Sequence, residues 1–214
     1  MPLDDDLNAA LSPLHFGANV RLWGKAVALQ ISRIKPIEDL ALRTIEALKA
    51  VENGNPTTEQ IAICNEFQPD SLEETAPDKI FLVLDHPTVL VDAMMLVVAM
   101  RGLLSQAEQM ALQAEALGKA PGLRQAVKRF QAAQPNVAHF RNVIIHNDEY
   151  SIGKGQGKKK AINPTEGMGI SQDEDGRILV GWGGHRMHLM QAAEDALTLW
   201  RDLNGEYWGK LLAP

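Results

Sequence analysis

Between residues 139 and 150 the chain reads His139-Phe140-Arg141-Asn142-Val143-Ile144-Ile145-His146-Asn147-Asp148-Glu149-Tyr150. On a helix of about 100° per residue, His139, Asn142, His146 and Glu149 fall within roughly 80° of one another. Phe140, Val143 and Ile144 cover a different side, which can face a core. A helix face that only has to be soluble more often carries Lys, Glu and Gln. Imidazole titrates near neutrality, so it can give or take a proton in catalysis. Asn142 lies one turn before His146 and can orient its ring. Arg141 is five residues before His146, about 140° away around the helix. Those two side chains converge only if the guanidinium curls round, or if a second copy of the helix supplies one of them across a two-fold axis. The alternative is a structural hydrogen-bonding pair that braces the bundle.

Other constellations carry less. His185 and His188 are three apart and are expected at the start of the last helix. No Cys or acidic partner completes a metal set, so an exposed or capping role is expected. Gly153 to Lys158 is glycine- and lysine-rich but fails the spacing of a phosphate loop, and reads as a basic loop. Ser171, Asp173, Asp175 and Gly176 are spaced like the start of a calcium loop, but its twelfth position is Trp182 rather than Glu. Cys64 sits in an apolar helical pattern and reads as an inert buried thiol. No metal and no cofactor is expected.

Mostly helical elements must position these residues. Phe16, Val20, Trp23, Val27, Ile31 and Ile34 recur at three- and four-residue spacing. Pro36 is expected to open the next helix, carried by Ile37, Leu40, Ala41, Ile45, Leu48 and Val51 and stopped at Asn53-Gly54-Asn55-Pro56. Thr57 or Thr58 caps a short helix through Phe67. Residues 68–85 read as a loop. Pro87 opens the longest helix, to about Leu117, with its first half apolar nearly all round and so central to the core, a bend expected at Gly102 and a stop at Gly118. Further helices run from Pro121 to before Pro135 and from about Asn136 to Tyr150. After a glycine- and lysine-rich loop, Met168–Ile170 and Arg177–Trp182 flank Asp173-Glu174-Asp175-Gly176 and predict a β-hairpin. A final amphipathic helix starts near Met187. Trp23, Trp182, Trp200 and Trp208 are expected in the core or at an interface. The expected fold is all-α, a single domain over 1–214 with about six helices, a basic loop and a β-hairpin at about 151–186.

The composition fits one soluble globular domain: 214 residues, 45% hydrophobic and 22% charged. The longest apolar run, Val89 to Met100, is too short for a membrane span and reads as a core helix. The acidic start at Asp4, Asp5 and Asp6 is unlike a secretory signal. A lone cysteine suits a reducing, cytoplasmic setting. The net charge of −6 argues against general, charge-driven nucleic-acid binding. It is unevenly spread. Residues 119–160 hold nine cations and two acids, a local +7 against −13 elsewhere. Such a region can attract phosphate, or be a solvated helix face followed by a basic loop.

Arg141-Asn142-Val143-Ile144-Ile145-His146 resembles the signature of HEPN domains: Arg, a polar residue, three further residues, then His. The signature lies on a late helix of a helical chain, after a long central helix. The resemblance covers that helix closely and the helical layout loosely. It implies metal-independent RNA cleavage, in a toxin–antitoxin or defence setting. His146 would act as general base or acid at the ribose 2′-hydroxyl or the leaving oxygen. Arg141 would stabilise charge on the phosphate, and Asn142 would position His146 or the phosphate. His139, Glu149, Lys128, Arg129, Lys158, Lys159 and Lys160 would contact the RNA. The family usually builds its site from two protomers, so a homodimer is implied, with RNA or a nucleotide and an antitoxin or regulatory protein as partners. The late hairpin and lysine-rich loop depart from a minimal HEPN domain. Many members of the family have lost catalysis, so a non-catalytic dimeric binding module is the alternative.

Overall fold

The computed structural model describes residues 5–66, 87–116, 118, 121–145, 169–182 and 184–206, with side chains from residue 17 onward except at 66, 87 and 206. Among them are six helices and a small sheet: α1 (Asp5–Glu52), α2 (Thr58–Glu66), α3 (Pro87–Ala116), α4 (Pro121–Ala133), α5 (Val137–Ile145), β1 (Gly169–Gln172), β2 (Ile178–Trp182), β3 (His185–His188) and α6 (Leu189–Glu206). The expectations for residues 68–85, for the loop at 151–168, for Leu117 and for Trp208 lie outside the described residues.

α1 is one continuous helix of 48 residues, not two. Pro36 does not divide it, although an interior proline removes one backbone donor and costs about 3 kcal/mol. Packing on both sides of the proline holds the axis. Val27 and Ile34 before it and Ala41 after it are fully buried. α1 packs chiefly against α3, then against α6 and α2. Thr57 caps α2 in a reciprocal box: Gln60 N donates to Thr57 Oγ1 at 3.2 Å, and Thr57 N donates to Gln60 Oε1 at 2.9 Å.

α3 is the central helix, in contact with α1, α4, α5 and α6. Ala93, Leu96, Val97, Met100, Leu103 and Ala107 are fully buried. On its first half Val91 and Met95 are half exposed. By length and composition alone α3 would also suffice to cross a membrane. Here it packs against four other helices. The expected bend at Gly102 has a different meaning. A Cβ there would lie 2.5 Å from the Trp23 indole, so the glycine is the notch into which Trp23 of α1 fits. Gly24 does the same for Trp200 of α6, where a Cβ would lie 2.3 Å from the ring. Two Trp–Gly contacts thus key α1 against its two main neighbours.

The expected hairpin is a three-stranded antiparallel sheet in the order β1-β2-β3. Val180 pairs with Ile170 on one side and Met187 on the other. The additional strand is His185–His188, which places both histidines on β3 and starts the last helix at Leu189. Only Met187 of its four residues is buried, so the strand offers almost no apolar alternation to read. The turn before β2 is built by Asp173. Its Oδ1 accepts from Asp175 N at 3.0 Å and from Arg177 N at 2.8 Å. Gly176 has φ +87°, and a Cβ on it would lie 2.7 Å from Ile45 Cδ1. The turn therefore rests on α1, where Lys49 Nζ donates to Glu174 O at 3.1 Å. Further in, Ile178 N donates to the buried carboxylate of Glu38 at 3.0 Å. Burial pushes the Glu38 carboxyl above the ordinary carboxylate range, against the opposing effects of the Ile178 N–H and of Lys35.

Candidate functional site

α5 carries the residues with the most chemistry, and its position is over-determined. Val137, Phe140 and Val143 are buried in the core. At its start Asn136 Nδ2 donates to Arg186 O on β3 at 3.0 Å. Just before it, Gln134 Nε2 donates to Asp195 Oδ2 on α6 at 2.7 Å. The helix is thus tied to the sheet and to α6 at one end, and packs along α3.

The polar stripe divides along its length. His139 is half-buried against the sheet. Its ring lies 4.5 Å, centroid to centroid, from His185, 5.7 Å from Trp182 and 5.8 Å from Phe140. Packing is therefore the visible role of His139. Asn142 and Arg141 are both half-buried. Arg141 Nη1 donates to Asn142 Oδ1 at 3.1 Å, so the amide fixes the guanidinium beside it. His146 and Glu149 lie outside the described residues, as do Lys158, Lys159 and Lys160.

Arg141 shares the lack of a described carboxylate partner with Arg43, Arg177, Arg186 and Arg201, but those four are exposed and Arg141 is half-buried. Arg33 pairs with Asp92, Arg101 with Glu108, Arg124 with Glu115 and Arg129 with Asp202. No carboxylate pairs with Arg141 among the described residues. A guanidinium has five N–H donors, and the contact with Asn142 engages one. The arrangement leaves a planar, oriented fork for an anion, which suits a phosphate oxygen pair.

The basic face of α4 is more balanced than its sequence suggests. Arg124 and Arg129 meet acids from outside the 119–160 window. Lys128 lines a shallow groove of about 350 Å³ between α3 and α4. That groove also holds Glu108 and Glu115, over a floor that includes Ala111, Leu112 and Val127. The local excess of +7 is therefore partly neutralised in space, which a count along the chain does not show.

Among the described residues no three His, Cys, Asp or Glu side chains group so as to hold a metal ion. His188 Nδ1 approaches Asp173 Oδ2 at 3.5 Å, on the turn rather than near α5. Cys64 is buried. Glu38 and the two Trp–Gly notches carry no local sequence signal, because their partners come from distant elements. Asn136 is legible as a helix start, but its bond to β3 is not. No family model matches the chain, and neither a curated protein nor a solved structure is significantly similar to it.

Proposed function

We propose that this protein is a metal-independent endoribonuclease of HEPN type, acting in the cytoplasm as a homodimer, with a toxin or defence role. The observation that carries the reading is the Arg141–Asn142 pair. It is a half-buried guanidinium, oriented by an amide and matched by no carboxylate among the described residues, on a helix anchored at the core. The motif supplies His146 as the proton-transfer group, five residues further along the sequence.

In the proposed reaction the ribose 2′-oxygen attacks the adjacent phosphorus while a base takes its proton. The bond from phosphorus to the 5′-oxygen breaks, and that oxygen receives a proton. The products are a 2′,3′-cyclic phosphate and a 5′-hydroxyl. His146 serves one of the two proton transfers. Arg141 holds two non-bridging oxygens as negative charge builds on them. Asn142 keeps the guanidinium from swinging away, and that positioning carries much of the advantage of a preformed site.

A second reading is a non-catalytic dimeric module that binds RNA, a nucleotide or a protein partner through the same helix. Two observations favour it: His139 is spent on packing against Trp182 and His185, and Arg124 and Arg129 are spent on ion pairs. Incubating an RNA panel with the wild-type protein in EDTA separates the two. The nuclease cleaves RNA, and a single 2′-deoxy substitution at the cut position blocks that cut. The module retains RNA without cutting it.

A further inference from the structure

The proposed cleavage needs two proton transfers, and His146 carries one of them. Beside α5 the sheet offers a further histidine. Arg186 O of β3 accepts from Asn136 Nδ2, at the start of α5, at 3.0 Å. The neighbouring residue, His185, has its ring 4.5 Å from that of His139, three residues further along α5. β3 therefore lies with its first residue toward the turn of α5 that carries Arg141 and Asn142. Residues three apart on a helix are neighbours, so His139 and Asn142 adjoin on one rim. His185, His139, Asn142 and the guanidinium held by Asn142 follow one another across that rim.

The histidines among the described side chains differ in what occupies them. His139 Nε2 is shielded from solvent, and its ring packs on Phe140, Trp182 and His185. His188 lies on the other face of β3, with its Nδ1 3.5 Å from Asp173 Oδ2. His185 is half-buried and meets a ring, not an acid. Neither of its nitrogens has a hydrogen-bond or ion partner among the described residues. An imidazole in that state keeps both nitrogens for a ligand, and it exchanges protons near neutrality. A phosphate bound at Arg141 then becomes its nearest counter-charge and favours the protonated ring.

We propose that His185 is the general acid of the cleavage, an assignment that rests on the nuclease reading. The protonated ring gives its proton to the 5′-oxygen as the bond from phosphorus to that oxygen breaks. His146 takes the 2′-hydroxyl proton as the 2′-oxygen bonds to phosphorus. Proton exchange with water returns both rings to their starting state. Attack and departure at phosphorus run in line, so the two proton carriers belong on opposite sides of the phosphate. His146 follows Asn142 in the sequence, and His185 adjoins His139, which precedes it. The sheet thus supplies half of the acid–base pair, and β3 is the element that aims it.

The test replaces the 5′-oxygen at the cut with sulfur, because a thiolate leaves without needing a proton. Wild type and His185→Asn are compared on ordinary RNA and on the sulfur-bridged RNA. Asparagine keeps a polar side chain there but cannot carry the proton. A general acid contributes about a hundredfold or more, so His185→Asn should lose about that factor on ordinary RNA and cut the sulfur-bridged RNA within about threefold of wild type. Retention of RNA carrying a 2′-deoxy nucleotide at the cut should be unchanged in the variant. Equal loss on both RNAs overturns the proposal, since a structural brace or a base gives that pattern. So does cleavage of ordinary RNA by His185→Asn at the wild-type rate, and so does rescue of His146→Ala by sulfur, which would make His146 the acid. Wild-type protein that cuts neither RNA removes the nuclease reading and the assignment with it, an outcome distinct from an active wild type and an indifferent His185→Asn.

Discussion

At the scale of single residues, the fold turns on groups whose role is decided by what surrounds them. Arg141 and His139 are two positions apart, yet one is held by Asn142 while the other packs on Trp182 and His185. The helical wheel placed both correctly on α5 but could not say which of them meets the sheet, because that depends on β3. Glu38 is the converse case, a carboxyl with an unremarkable sequence context that is buried on the Ile178 N–H. Glu38→Ala leaves that buried donor without an acceptor and is expected to cost about 1–3 kcal/mol in chemical denaturation. Glu38→Gln keeps an acceptor oxygen and cannot ionise. Because burial raises the Glu38 pKa in the fold, its favourable contribution is present at acid pH and is lost as the pH rises through the raised value. Stability of Glu38→Gln relative to wild type should therefore increase from pH 4 to pH 8, and a flat difference would remove the buried-carboxyl account. Gly24→Ala drives a methyl into the Trp200 ring. It should cost about 1–3 kcal/mol despite the better helix propensity of Ala, and the penalty should vanish in a Trp200→Leu background.

At the scale of elements, the long periodic segments were legible and the short, tertiary ones were not. α3 and α4 follow their apolar spacing and their Pro and Gly boundaries closely, because those signals are local. Pro36 reads as a boundary for equally sound local reasons, yet α1 continues through it because Ile34 and Ala41 are both seated in the core. β3 was hidden because a strand with one buried side chain in four is defined by its pairing with β2, not by its own pattern. The turn that starts β2 depends on one side chain. Asp173→Ala removes the acceptor for two backbone N–H groups and should cost about 1–2 kcal/mol. Hydrogen exchange should accelerate across β1 and β2 more than in α3. Uniform acceleration would mean that the sheet and the helices unfold as one unit.

At the scale of the whole molecule, the basic window that attracted attention in the sequence is partly cancelled by Glu115 and Asp202, which approach it only in three dimensions. What remains uncompensated on α5 is Arg141, and the central claim rests on it. If Arg141 and His146 of one site come from two protomers, an equimolar mixture of Arg141→Ala and His146→Ala should recover about a quarter of wild-type cleavage. Half of the dimers are then mixed, and each mixed dimer holds one intact site of two. No recovery would place both residues of a site on one chain. The most direct measurement is RNA cleavage in EDTA by wild type, Arg141→Ala and His146→Ala, with the product ends identified and folding checked by circular dichroism. The account predicts 2′,3′-cyclic phosphate and 5′-hydroxyl ends from the wild type, and loss of cleavage by at least a hundredfold in both variants while they stay folded. Wild-type protein that leaves the RNA intact, or variants that cut as fast as wild type, would contradict it.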